Sequence, residues 1–141
     1  MLNFIRIRDT VSARAGRLLV VVAVLVVAGC ATGPFASRSS KDIVSEKAQA
    51  RWDALVKENI SGAYEFISPA GRSIVSREAY AGTIKPGFWK GAKVVKVECS
   101  TAELCEVEVQ IDYTYSGKQL SSSLREKWVK QDSDWWYLLQ R

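Results

Sequence analysis

Apolar residues recur along this chain with two different periods. Over residues 41–59 they fall at Ile43, Val44, Ala48, Trp52, Leu55 and Val56. That spacing is the buried stripe of an amphipathic helix. Lys41, Glu46, Lys47, Arg51, Lys57 and Glu58 lie between them and predict a solvated face. Ser39 or Ser40 is placed to cap the helix, with Asp42 in its first turn. Short helices are predicted over residues 61–67, from the Ser68-Pro69 start, and from Ser76 with Glu78 to about Ile84. In the second of these a proline takes the first helical position, where its missing N–H costs nothing. Pro86 and Gly87 close the helical half.

From there the period becomes two. Val95, Val97 and Cys99 alternate with Lys96 and Glu98. Cys105, Val107, Val109, Ile111, Tyr113 and Tyr115 alternate with Glu106, Glu108, Gln110, Asp112 and Thr114, a sustained strand signal. A third strand is expected over about residues 119–130, with Leu120, Leu124 and Trp128 on one face, and a last one over residues 135–140. Short connections between consecutive strands imply an antiparallel meander. The expectation is an α+β domain with N-terminal helices packed on a curved antiparallel sheet.

The beginning of the chain follows neither period. Arg6, Arg8, Arg14 and Arg17 precede eleven consecutive apolar residues, 18–28, and then Gly29 and Cys30. A membrane span needs roughly 18–20 apolar residues, so this run reads as an export signal instead. The segment Val27-Ala28-Gly29-Cys30 resembles the lipobox of bacterial lipoproteins. The resemblance implies cleavage before Cys30 and attachment of acyl chains such as palmitate to that cysteine. Several chains on one residue meet the requirement for stable anchoring, which a single chain does not. Residues 1–29 are then a signal peptide, 30–40 a lipidated tether containing Gly33 and Pro34, and 41–141 the folded domain. Ala31, which is not the aspartate that retains lipoproteins at an inner membrane, points to the periplasmic side of the outer membrane where the envelope has one.

Charge and cysteine content change under this division. Of the formal +5, only about +2 remains beyond residue 29, and the later charges are interleaved. No clustered basic footprint for nucleic acid is present. Cys99 and Cys105 remain as an even pair, suited to a disulfide in an oxidising compartment and separated by five residues between two strands; two reduced thiols are the alternative. The chain has no histidine, which removes the commonest general base and metal ligand. Neither a metal nor a cofactor is expected.

The segments Ala50-Arg51-Trp52-Asp53-Ala54-Leu55 and Ala63-Tyr64-Glu65-Phe66-Ile67-Ser68-Pro69 resemble the opening of NTF2-like (SnoaL-like, cystatin-related cone) domains. The ending from Glu126 through Trp128 to Trp135-Trp136-Tyr137 is similar to their final hairpin. The resemblance covers about residues 41–141 and implies a cone-shaped fold. That fold hosts isomerases, cyclases and non-catalytic domains alike, so it does not imply an activity. An isomerase's carboxylate and oxyanion-hole set does not map onto these residues, which turns the expectation away from an enzyme. A ligand- or partner-binding envelope domain is expected, with a catalytic cone or a structural subunit of an envelope complex as alternatives.

Candidate residues follow from the strand faces. Glu126 shares a face with Leu120, Leu124 and Trp128, where a lone carboxylate is costly. It is either paired with a cation from the helices or kept as a neutral acid for proton transfer. Tyr113, Tyr115 and Trp128 join it as residues that would line the cone, the tyrosines being either core or rim. Trp135 and Trp136 must point to opposite sides of their strand, and the outward one suggests a surface for an envelope partner or a second copy through the sheet face. A small apolar ligand in the cone is the other expected partner.

Overall fold

The computed structural model describes residues 38–140; the signal segment, Cys30 and the tether lie outside the described residues. Helix α1, Ser40–Val56, starts where Ser39 Oγ accepts a hydrogen bond from the Asp42 backbone N–H. It buries Val44, Ala48, Trp52 and Leu55 as the stripe requires, and also Arg51. Placing Arg51 on the solvated face is therefore corrected: only 4% of it is exposed. Three short helices follow, α2 Ile60–Tyr64, α3 Pro69–Ile74 and α4 Arg77–Thr83. Their N-caps are Asn59, Ser68 and Ser76, each accepting from a backbone N–H three residues on, so otherwise orphaned donors are satisfied. No described helix is long and apolar enough to cross a membrane.

Strands β1 Trp89–Cys99, β2 Leu104–Tyr115, β3 Lys118–Gln131 and β4 Asp134–Leu138 pair consecutively and antiparallel in the order β1-β2-β3-β4. The β2–β3 and β3–β4 turns hold Ser116-Gly117 and Asp132-Ser133 at positive φ. Two successive residues in that region make the tight hairpin turn whose twist matches its strands. The helices pack on one face of this sheet, as the α+β expectation requires.

The core joins α1 and the sheet through Val44, Trp52, Leu55, Val107, Val109, Trp128 and Trp135. Strand β1 begins earlier than its alternation suggests and carries an irregularity between Val94 and Lys96. That bulge takes Val95 off the expected face: Val97 and Cys99 pack against the core as the alternation requires, but Val94 does so in place of Val95, which is 46% exposed. Strand β4 would be a bare edge, but residues 66–68 lie along it. Tyr137 N–H donates to Phe66 O at 2.7 Å and Ser68 N–H to Tyr137 O at 2.9 Å. Covering an edge in this way blocks strand addition there.

Trp135 and Trp136 do alternate, but Trp136 is not a bare aromatic. It is half-buried, with the Lys47 ammonium at 5.4 Å and the Arg72 guanidinium at 5.2 Å from its ring. Its Nε1–H donates to Gln131 O. Elsewhere the outer sheet face carries Glu106, Glu108, Asp112, Arg125 and Lys127 rather than an apolar patch.

Candidate functional site

The alternation of β3 turns Glu126 inward, and only 3% of it is exposed. Position 51 lies on the same α1 stripe as Val44, Ala48 and Leu55, so the helix aims Arg51 at the same place. Arg51 Nη1 and Glu126 Oε1 are 2.5 Å apart. Trp52 Nε1–H donates to the same oxygen at 3.0 Å, and Trp128 Nε1–H to Oε2 at 3.4 Å. On its other side Arg51 donates to Tyr80 Oη at 3.3 Å and stacks over the Tyr137 ring at 3.8 Å. The Arg51 Nε has no hydrogen-bond partner among the described residues.

Electrostatics in this cluster are set by competing influences. Burial is the largest influence on Glu126 and pushes its pKa up. Arg51, Trp128 and Trp52 oppose that, and the net shift is upward. Burial disfavours the Arg51 charge as well, but Glu126, Tyr80 and Tyr137 outweigh it and raise its pKa. Arg51 therefore stays cationic, and three donors converge on the carboxylate. A general base needs a free lone pair facing a substrate proton within about 3 Å. Glu126 faces an arginine and two indoles instead.

Of the two alternatives for Glu126, the structure shows pairing with a helix cation. The four residues expected to line one cone do not come together around an opening. Trp128 is fully buried beneath Phe66 and Tyr137. Tyr113 stacks on Phe88 at 5.1 Å and borders a surface groove of about 450 Å³ with Lys90, Asp112, Gln119, Leu120 and Ser121. Tyr115, 64% exposed at the end of β2, is corrected as a pocket residue. Arg51 and Trp52 of α1, with Tyr80, fill the space around Glu126, and Tyr115 is exposed because the helices do not cover the end of β2.

Cys99 and Cys105 face each other across β1 and β2 and form a disulfide. It lines a second groove of about 590 Å³ with Lys41, Glu98, Ser100, Leu104, Glu106 and Lys127. Sequence reasoning placed the two cysteines but missed the groove, because Lys41 belongs to α1 and reaches it only in the folded chain. Among the described residues no group of three or more acidic or cysteine side chains is arranged to hold a metal ion.

Helices on a curved four-stranded antiparallel sheet, around a filled polar centre, define an α+β domain. No family model matches the chain, and no curated protein matches it in sequence. Solved structures do. A SEC-C motif containing protein from Rhodopseudomonas palustris superposes with a TM-score of 0.55 at 14% identity, over 66% of this chain and 73% of that one. A SEC-C motif containing protein from Psychrobacter arcticus gives 0.58 at 18% identity over 74% of this chain. There the alignment spans 63% of the other chain, under two thirds of its length. A Campylobacter jejuni protein described as an NTF2-like transpeptidase aligns over 73% of this chain and all of its own at 12% identity, but its TM-score of 0.41 carries no weight. Identities this low speak to fold alone.

Proposed function

We propose that this chain is a bacterial envelope lipoprotein, held to a membrane through acylated Cys30, whose folded domain is non-catalytic and works by binding through its surface. The observation that carries the non-catalytic part is the engagement of Glu126 by Arg51, Trp52 and Trp128. Glu126, the buried carboxylate among the described residues, has both oxygens engaged by protein donors. The same filled centre leaves no room there for a small apolar ligand, which favours a protein partner or a structural role in an envelope complex.

The anchoring part rests on the Val27-Ala28-Gly29-Cys30 segment. The Cys99–Cys105 disulfide supports an oxidising location, where such bonds persist. Ser40 follows Cys30 by ten residues, and an extended chain of that length spans at most about 35 Å. The domain would therefore work close to the bilayer, and with Ala31 after the lipidated residue its membrane is the outer one where the envelope has two.

Expression of the full chain with and without the signal-peptidase inhibitor globomycin tests the anchoring. The expected result is a mature mass that starts at Cys30 and carries acyl chains, with accumulation of the precursor under inhibitor. A Cys30→Ser chain should leave the membrane fraction. An unacylated mature protein, or a Cys30→Ser chain still bound to membranes, overturns it.

A further inference from the structure

The two edges of the sheet are treated differently. Residues 66–68 bridge the β4 edge at Tyr137, whereas the β1 edge is closed only in its first half. There the Gln49 side chain of α1 imitates a neighbouring strand. Its Oε1 accepts from Val94 N–H at 2.9 Å and its Nε2 donates to Ala92 O at 3.0 Å.

Beyond Val94 the closure stops. The phase of the remaining backbone follows from the hairpin, where Ser100 N–H donates inward to Leu104 O at 3.0 Å. Backbone groups alternate sides along a strand, so Glu98 also bonds towards β2, while Val97 and Cys99 present their N–H and C=O to the free edge. Among the described residues these outward groups have no hydrogen-bond partner. The open stretch is therefore residues 95–99, bounded by the Gln49 cap and bulge on one side and by the Ser100 turn on the other. A shallow groove of about 240 Å³ runs beside it, lined by Lys41, Asp42 and Ser45 of α1 and residues 94–97 of β1.

The side chains of this stretch are self-complementary. Lys96 and Glu98 flank Val97 on the outer face, 3.0 Å apart and both largely exposed. An antiparallel partner must pair through the outward-facing backbone, which allows a two-fold axis at a hydrogen-bonded pair, Val97 or Cys99, or at a non-hydrogen-bonded pair, Lys96 or Glu98. An axis at Lys96 or Glu98 sets two like charges directly opposite each other, which is unfavourable. An axis at Cys99 runs into the turn at Ser100 and leaves Lys96 and Glu98 without opposite charges. An axis at Val97 sits at the centre of the open stretch. It sets Lys96 of each copy opposite Glu98 of the other, at a separation of about 4.5–5.5 Å between facing Cα atoms. Opposite charges directly across a strand pair are favourable and like charges are not.

We infer that residues 95–99 form the interaction surface for a second copy of this chain, pairing antiparallel about Val97 to join two four-stranded sheets into one. This moves self-association from the outer sheet face, which is charged, to the β1 edge. It does not depend on the membrane anchor. The lysine at this edge has a competing use, since a lone edge lysine and a bulge deter pairing altogether. The Lys96–Glu98 pattern separates the two, because only pairing makes the order of the two charges matter.

Native mass spectrometry of the full chain released from detergent micelles tests the inference, with thermal unfolding followed by circular dichroism as the control for folding. The wild type should give dimers that increase with concentration. Val97→Pro removes an N–H that the monomer does not use and should keep the melting transition, since proline is tolerated at edges, while the dimer is lost. Lys96→Glu should give monomers, and Lys96→Glu with Glu98→Lys should restore the dimer. If Val97→Pro lowers the melting transition, the two charge variants decide. A wild type that stays monomeric at every concentration overturns the inference. So does a dimer that survives in a folded Val97→Pro chain, or a charge-exchanged chain that stays monomeric.

Discussion

Removing either partner of the Arg51–Glu126 pair should destabilise the fold, but with different dependence on pH. Both side chains are over 90% buried, and breaking such a pair costs about 3–5 kcal/mol because one charge is left uncompensated. In Glu126→Leu the stranded charge is a guanidinium that cannot lose its proton, and two indole N–H groups lose their acceptor as well. In Arg51→Met the stranded charge is a carboxylate that can escape by taking up a proton. Burial already holds Glu126 above its ordinary value, and loss of Arg51 raises it further. Between the unfolded and folded pKa values the native state keeps a proton that the unfolded chain has released. Stability contributed by this group is therefore present below the unfolded value and lost as pH rises through the folded one. Arg51→Met should thus be more stable at about pH 5 than at about pH 8, and the wild type should lean the same way more weakly. Glu126→Leu should show no such slope from this site. The double variant should recover several kcal/mol relative to the sum of the singles, short of the roughly 1–3 kcal/mol for each indole N–H left without an acceptor. Urea unfolding of all four proteins at both pH values measures this. Single-variant costs that add to within about 0.5 kcal/mol, or an Arg51→Met chain indifferent to pH, would refute the reasoning.

Two further outcomes concern the ends of the sheet. Replacing Cys99 and Cys105 together by serine should lower the unfolding free energy by about 2 kcal/mol, the loop-closure value for so short a ring; an unchanged urea midpoint counts against it. Asp134, held below its ordinary value chiefly by its hydrogen bond from Lys47, contributes stability that is present above the unfolded pKa and lost as pH falls through the folded one. Its side chain is 46% exposed, so Asp134→Asn should cost under about 1 kcal/mol at neutral pH and flatten the acid limb of a stability–pH curve, with an unaltered limb counting against the pairing.

Much of the fold was legible because alternation is unambiguous where large and charged residues exchange places. From Cys105 to Ile111 every apolar residue is buried and every second position is charged or polar. The same logic turned Glu126 inward, between Leu124 and Trp128. Position 51 carried a readable signal too, four residues before Leu55 and three after Ala48 on one helix face, but an arginine there looks solvated until its acid is known. At Val94-Val95 either phase satisfies an apolar pattern, so the bulge left no trace in the sequence. Tyr115 shows another limit. Alternation reports which face a residue occupies, whereas the reach of the helices over that face depends on how the whole chain packs.

The pairing of α1 with the far end of the chain has a consequence for the order of folding. Arg51 meets Glu126 across 75 residues and Lys47 meets Asp134 across 87. Helix α2 and strand β1 follow α1 in the chain and cover much of its stripe, yet the acid that neutralises its buried arginine lies in β3. Contacts this distant in sequence slow folding, because the intervening loop must close before they reward it. Until β3 docks, the arginine on an otherwise apolar helix face has nothing to receive it, and keeping that face in water costs less than burying it unpaired. The β3–β4 hairpin thus acts as a timer, delaying collapse around α1 until both strands are available to pair with it.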